Sequence, residues 1–575
     1  MIGNKKSIDI VVNLLKKNNI KKIVISPGGT NISLVKAVQD DDFFECYSVV
    51  DERSAVYFAI GLYLQSGEII AMSCTSAQAT RNYVPGLTEA YYKRVPLLAI
   101  TMSKHPRFTY QEYMQAPNQT SLPEDCVKKS FELPFISDEN DEFHAIRVAN
   151  EAILEVTHHG KGPVQLCIPW LDFPLTSVRP QVRHIQRFTG EEVLGLDLMN
   201  QRIMVVVGEH GPFSAEEIKL MNAFAEKYDV MIYTNHLSNY SGKYALKANL
   251  AMLTMKSKDF AEEYKPNVVI SIGGQTGDYP LYNVLSRVEY ADMEHWRICD
   301  DGNVVDTYDK LTKIFEMSLK NFLVSFLDAQ SDKSVQNHEF YKRWKNLTES
   351  RSTDIELPFS NAAIAQYLSG RMPSNSIIQF AILNSLRIWN LFALDASIEC
   401  YSNVGAFGID GGMSTLIGQS VATDKLCFMV TGDLAFFYDM NSLGIRHIKN
   451  NLRILLVNND GGIEFKLHGG DSHSIGRYIA AEGHYKNAEG WARTCGFEYL
   501  SANNMEDFTK QADYFCGETE KPVLFEVFVK DSDEAGAYQL LIEKNKGLNL
   551  SDNLKHKIKN VLGNETVNAI KRVFK

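Results

Sequence analysis

The sequence predicts an α/β protein of three consecutive α/β domains with parallel sheets. Three observations carry this expectation. The length of 575 residues accommodates about three or four domains at roughly 150 residues each. Short apolar runs alternate with longer amphipathic stretches along the chain, the pattern of strand–helix–strand units. Two polar stretches, 178–202 and 328–355, interrupt that pattern. The first reads as a linker and the second as a linker mixed with a helix. The expected bounds are 1–180, 200–328 and 355–545, followed by a basic tail over 546–575.

In the first part, Lys22 to Ser26 reads as a buried strand that stops at Pro27-Gly28-Gly29. Glu68 to Ser73 and Pro96 to Thr101 read as two more, and Pro163 to Pro169 as the last. In the second, Ile203 to Gly208, Met231 to Tyr233 and Val268 to Gly274 are strands. In the third, they are Ser376 to Phe380, Leu426 to Val430, Leu452 to Val457 and Val523 to Val527. The tail carries Lys555, Lys557, Lys559, Lys571, Arg572 and Lys575. It reads as a solvated helix packed on the body, with a basic surface for membrane or nucleic acid as the other reading.

Composition narrows the function. Apolar residues make up 45% and charged residues 22% of the chain, ordinary for a folded soluble protein. A net charge of −11 argues against a broad nucleic-acid surface, which needs clustered basic residues. The nine cysteines include no C-x-x-C pair, so neither a zinc site nor a redox pair is indicated. No continuous apolar core marks a signal peptide, and no run approaches the ~18 apolar residues of a membrane span. An odd cysteine count in a large acidic chain fits a reduced, cytoplasmic protein.

The chemistry starts with two strand ends. Gly432-Asp433 closes one apolar strand, and Asn458-Asn459-Asp460-Gly461-Gly462 closes the next, 459 − 433 = 26 positions later. A strand–helix–strand unit of that length puts both ends on one sheet edge, where ligands of open parallel sheets bind. Magnesium takes hard oxygen ligands in octahedral array. The Asp433 carboxylate, the Asn459 amide oxygen and the Gly461 carbonyl could supply three. Two diphosphate oxygens and a water would complete six. Gly461 and Gly462 let the backbone turn and approach the phosphates. Either half alone would read as an ordinary turn.

Further motifs follow in order: Ser26-Pro27-Gly28, Asp51-Glu52-Arg53-Ser54-Ala55, Thr75-Ser76 with Asn82, Asn118-Gln119-Thr120, Ser402-Asn403, Gly408-Ile409-Asp410-Gly411, Gly432-Asp433-Leu434, Tyr438-Asp439 and Asn441. From about residue 8 to 530 this series resembles the thiamine-diphosphate-dependent 2-oxoacid decarboxylase and carboligase superfamily. Within it, the series is most similar to the 2-succinyl-5-enolpyruvyl-6-hydroxy-3-cyclohexene-1-carboxylate synthases of the menaquinone pathway.

The resemblance implies a pyrimidine-binding, a central and a diphosphate-binding domain. It also implies a homodimer or homotetramer with sites at the subunit interface, and thiamine diphosphate with Mg2+ as cofactors. It assigns Glu52 the activating role, its carboxyl bonded to N1′ of the aminopyrimidine. An apolar pocket would suit that carboxyl to sharing a proton at neutral pH. The cofactor itself stores electrons as carbon dioxide leaves a 2-oxo acid. Cofactor contacts are implied for Ser26, Pro27, Gly28, Thr75, Asn82, Gly408, Ile409, Asp410, Gly411, Gly432, Leu434 and Gly462. Substrate positions are Gly29, Thr30, Gln78, Gln119, Trp389, Val404 and Glu464; for Glu464 a simple helix-start carboxylate is an equal reading.

The chain departs from these synthases where they use arginine forks to hold 2-oxoglutarate and isochorismate. Thr30, Val404 and Trp389 stand at three such positions, with Arg387 two residues before Trp389. Gln78 stands in a fourth altered motif. Lys104, His105, Arg107, Lys466, His468 and Arg477 are alternative sources of charge, or plain surface residues. The expected activity is decarboxylation of a 2-oxo acid with transfer to an aldehyde, keto sugar or other acceptor. Two alternatives are the synthase itself and a non-catalytic cofactor-binding paralogue.

Overall fold

The computed structural model describes residues 2–170, 184–190, 196–328, 334–467, 476 and 478–546. The basic tail lies outside them. Their strands form three sheets, and every pairing is parallel. The first sheet holds β1 (Lys22–Ile25), β2 (Glu45–Ser48), β3 (Ile70–Cys74), β4 (Leu97–Lys104), β5 (Ser130–Glu132) and β6 (Val164–Trp170), in the order β2-β1-β3-β4-β6-β5. The second holds β7 (Gln186–Phe188), β8 (Arg202–Val207), β9 (Asp229–Tyr233), β10 (Ala245–Leu246), β11 (Val268–Ile272), β12 (Glu294–Cys299) and β13 (Leu311–Glu316), in the order β10-β9-β8-β11-β12-β13-β7. The third holds β14 (Ile377–Phe380), β15 (Glu399–Ser402), β16 (Cys427–Gly432), β17 (Leu452–Asn458), β18 (Glu498–Ala502) and β19 (Val523–Phe528), in the order β15-β14-β16-β17-β19-β18. The chain is thus three α/β domains with parallel sheets.

Central strands are buried on both faces, which is why they read as continuous apolar runs. All seven residues of β17 are buried. The expected linker 178–202 needs correction: Gln186–Phe188 inside it pairs with β13 as an edge strand. Its exposed Gln186 and Arg187 hide the strand in the sequence. The helix Glu339–Glu349 lies within 328–355, as expected. Among the described residues, no helix is long and apolar enough to cross a membrane.

Contacts divide the chain into two units. The first is Met1–Pro180 with two later segments, 406–410 and 460–486. The second holds the remainder, including the middle and third sheets. In the first unit Ile479 and Ala480 join the core formed by Ile23, Ile25, Ile100 and Ile168.

In each sheet the strand order reverses at an inner pair: between β1 and β3, between β8 and β11, and between β14 and β16. Crevices form beyond the C-terminal ends of strands at such points. The middle one is filled by backbone. A side chain at Gly208 would collide with the Gly274 carbonyl, and Gly273 takes φ +78°.

Two buried charges anchor the third domain. Arg453, on β17, is fully buried. It donates to the carbonyls of Phe515 (3.0 Å), Asn450 (2.6 Å) and Gly517 (2.5 Å), tying the strand to the end of helix Met505–Cys516. Glu534, in helix Asp531–Lys546, accepts from the Asn361 backbone N–H at 2.9 Å. The Asn361 side chain accepts in turn from the Trp389 indole at 3.1 Å.

Removing Arg453 strands those carbonyls. Arg453→Met should cost about 2–4 kcal/mol, read as a lower urea midpoint; an unchanged midpoint contradicts the anchoring role. Burial raises the Glu534 carboxyl from 4.5 to about 7. The folded state therefore holds this proton more tightly than the unfolded chain does. That contribution is complete below pH 4.5 and is lost as the pH rises through 7. Glu534→Gln should flatten the fall in stability across that window, measured as urea midpoints at a series of pH values. A slope equal to that of the unaltered chain would refute the assignment.

Candidate functional site

The first unit builds its site where β1 and β3 diverge. Their backbones separate beyond Ile25 and Cys74, and side chains fill the gap. Ser26 donates its N–H to Ser73 O (2.9 Å) and its hydroxyl to Val49 O (2.8 Å). Asn31 donates to Ser26 O at 2.9 Å. Thr30 Oγ1 lies 2.8 Å from Thr75 Oγ1 and accepts from Ser76 N–H at 3.0 Å. Between these pins, Gly28 lies so close to Thr75 that any Cβ would collide with that side chain. The half-buried Pro27 and exposed Gly29 lie on either side of it.

Glu52 opens helix Glu52–Ser66, with Asp51 capping it by accepting from Ser54 N–H at 3.1 Å. Its carboxylate is at the positive end of the helix dipole and is only 6% exposed. Burial first, then the Glu52 charge, pushes the Cys74 thiol well above its ordinary range. Burial, Cys74 and Glu52 do the same to Tyr83. Both buried side chains thus lie within the electrostatic reach of Glu52.

Other predicted residues gather in the same unit. Ala77 adopts φ +71°, ψ −128°, a costly conformation for a residue with a Cβ. Its N–H donates to Gln119 Oε1, and Gln119 Nε2 donates to Met102 O. Gln119 is buried, with both ends of its amide engaged in bracing these turns. Asn82 ends helix Gln78–Asn82. A Cβ on Gly408 would press on Gln78 and on Asp410, beside the half-buried Ile409. Gly461 takes φ +149° and faces Ala480 O, which accepts from Gly462 N–H at 2.6 Å. Glu464 lies in the short helix Ile463–Phe465.

The second unit carries a further group of the predicted residues. β16 and β17 pair in register from Cys427↔Leu452 to Gly432↔Val457, so Asp433 and Asn459 emerge on one edge. Asp433 is 3% exposed and accepts from the N–H of the half-buried Leu434 at 2.7 Å. Asn458 donates to buried Glu526 at 2.7 Å, which also accepts from Ala488 N–H and Tyr499 Oη, both at 2.8 Å. Beyond this anchor, Asn459 Oδ1 is buried without a hydrogen-bond partner. Such an oxygen costs about 1–3 kcal/mol unless something binds it. A hard cation would, so the donor set fits Mg2+. Gly411 caps helix Gly412–Val421 with φ +76°.

Three substrate expectations meet a different environment. Trp389 is fully buried and bonded to Asn361; Val404 is fully buried; Thr30 is 2% exposed and held by Thr75 and Ser76. Among the alternative charges, Lys104 lies over the Trp170 ring at 4.7 Å, and Lys466 pairs with Glu482. His105 accepts from Arg107 N–H at 3.2 Å. Burial and then Arg107 hold its imidazole below the ordinary range. His468 and Arg477 lie outside the described residues. The sequence did not single out Asn31, Asn361 or Glu534. The last sits in Asp-Ser-Asp-Glu, which reads as a solvated helix start.

Comparison with known proteins agrees with this geometry. Residues 6–122 match the family described as thiamine pyrophosphate enzyme, N-terminal TPP binding domain. The 2-succinyl-5-enolpyruvyl-6-hydroxy-3-cyclohexene-1-carboxylate synthase of Bacteroides fragilis is 34% identical over 561 residues, covering 93% of this chain and 98% of that protein. The synthase of Phocaeicola vulgatus is 34% identical over 558 residues, covering 93% and 97%. That of Christiangramia forsetii is 28% identical over 571 residues, covering 91% and 96%. With similarity running through all three sheets, this chain belongs to the family of thiamine-diphosphate-dependent enzymes that includes these synthases.

Proposed function

We propose that this enzyme decarboxylates a 2-oxo acid and joins the remaining fragment to an acceptor, in the manner of the synthases. The observation that carries this reading is Glu52, a carboxyl buried at a helix start in a domain matching the cofactor-binding family. Bound there, thiamine diphosphate supplies the electron sink for decarboxylation. Glu52 would hold a proton at its carboxyl against the aminopyrimidine ring, in a pocket that excludes water. Asp433, Asn459 and the Gly461 carbonyl would hold Mg2+, and Gly28 allows close backbone approach. End-to-end similarity supports 2-oxoglutarate and isochorismate as the pair. A second reading, a changed substrate pair, is favoured by Thr30, Val404 and Trp389, which bring no cation to positions where the synthases use arginine.

We also propose assembly as a homodimer or homotetramer. One face of helix Glu52–Ser66 exposes Tyr57 (47%), Phe58 (42%) and Leu64 (65%), an apolar stripe that a second copy would cover.

Product formation from 2-oxoglutarate and isochorismate decides between the two substrate readings; its absence, with carbon dioxide released from another 2-oxo acid, selects the second. Glu52→Gln should lower carbon dioxide release about 10²–10⁴-fold while cofactor binding persists; retained turnover would exclude the proposed role. Chelation of Mg2+ should abolish turnover, and Asn459→Leu should raise the magnesium concentration needed to restore it. Tyr57→Glu with Leu64→Glu should lower the solution mass measured by light scattering, whereas an unchanged mass would rule this face out as the interface.

A further inference from the structure

Three side chains beyond the C-terminal ends of the middle sheet's strands reach the third domain. The short helix His236–Ser238 follows β9, and Asn239 caps it in the left-handed conformation, φ +46°. Asn239 Nδ2 donates to Cys400 O at 2.9 Å and to His210 O at 2.8 Å, while its Oδ1 accepts from Cys400 N–H at 2.8 Å. β15 is an edge strand, so an outward-facing peptide there lacks a ladder partner. The Asn239 amide supplies donor and acceptor together, as a neighbouring strand would. Gln275 follows Gly273-Gly274 after β11, and its Nε2 donates to Gly405 O at 3.1 Å.

His236 completes the set. Its backbone N–H donates to Asn390 Oδ1 at 3.0 Å, and its Nε2 lies 2.8 Å from Trp389 O. A carbonyl only accepts, so Nε2 carries the proton. Burial holds this imidazole down at about 3, which keeps it neutral.

These contacts converge on the segment that leads to Gly408–Gly411. Asn239 holds Cys400 and Gln275 holds Gly405. Between them Asn403 accepts from Gln379 at 3.1 Å and donates to Thr415 at 3.2 Å. Residues 406–410 then belong to the first unit, and Phe407 bends with φ +60°.

We propose that the middle domain fixes residues 400–405, which lead into the loop carrying Gly408 to Gly411, with Asn239 and Gln275 as the positioning residues. This rests on the reading that Gly408 to Gly411 line the pyrimidine ring. Neither side chain touches a reacting atom; each fixes where the loop leaves the third sheet. The central domain thereby gains a part in the reaction that requires no ligand of its own.

The test compares the full-length chain with Gln275→Glu, which keeps the shape but cannot donate, and with Asn239→Asp, which loses both donors. Gln275→Arg restores a donor. Two readouts are hydrogen exchange of residues 402–411 without cofactor, and thiamine diphosphate affinity with Mg2+ from tryptophan fluorescence. The expected result is faster exchange confined to this loop and cofactor binding weakened about tenfold in the Glu and Asp variants. Gln275→Arg should recover most of both, with the thermal midpoint unchanged. Unchanged exchange overturns the proposal, as does faster exchange with unaltered affinity. Failure of the underlying reading is separable: Gly408→Val would then bind cofactor as well as the unaltered chain does.

Discussion

Where neighbouring parallel strands part company, their last peptide groups lose their ladder partners, and something else must satisfy them. This constraint acts at an inner reversal of each sheet and is met differently in each. In the first sheet, small polar side chains fill the gap: Ser26, Thr30, Asn31 and Thr75 knit the diverging turns together. In the second, backbone meets backbone, because Gly208 and Gly274 leave no room for anything else. In the third, whose order reverses between β14 and β16, Asp433 opens a new helix after β16; Asn459, after the neighbouring β17, keeps an unmatched buried oxygen. The middle sheet closes its crevice.

Much of the fold was legible because buried parallel strands are apolar on both faces. β1, β8, β16 and β17 could each be read directly. The edge strands could not. β2 and β15 both read Glu-Cys-Tyr-Ser, four residues with no long apolar run. β12 is interrupted by His295 and Arg297, both buried, and β7 is three residues long. The first and third sheets share one strand order, with β2 and β15 in matching places. No periodic similarity in the sequence reveals that correspondence, because it lies in connectivity.

The site was legible in motif and less so in role. Asp433 and Asn459 follow strand ends, as their spacing foretold, while Glu52, singled out by the resemblance alone, opens a helix. The orientation of Thr30, Gln119 and Trp389 could not be foreseen, because each is set by partners far away in sequence: Thr75, Met102 and Asn361. A hydroxyl, an amide or an indole reads alike whether it faces a ligand or braces a turn. Trp389 gains a further significance here. Its carbonyl and its indole N–H join His236 and Asn361, so this side chain is part of the frame between two domains' segments within the second unit.

The contact between Gly28 and Thr75 constrains history as well as structure. Because a Cβ on the glycine and the threonine side chain cannot share the space, the two positions cannot drift independently. A lineage replacing Gly28 must first shrink residue 75, and doing so removes the hydroxyl that Thr30 requires. The three positions therefore form an epistatic set in which the order of substitution matters. That coupling would hold this corner still while positions outside the set change one at a time.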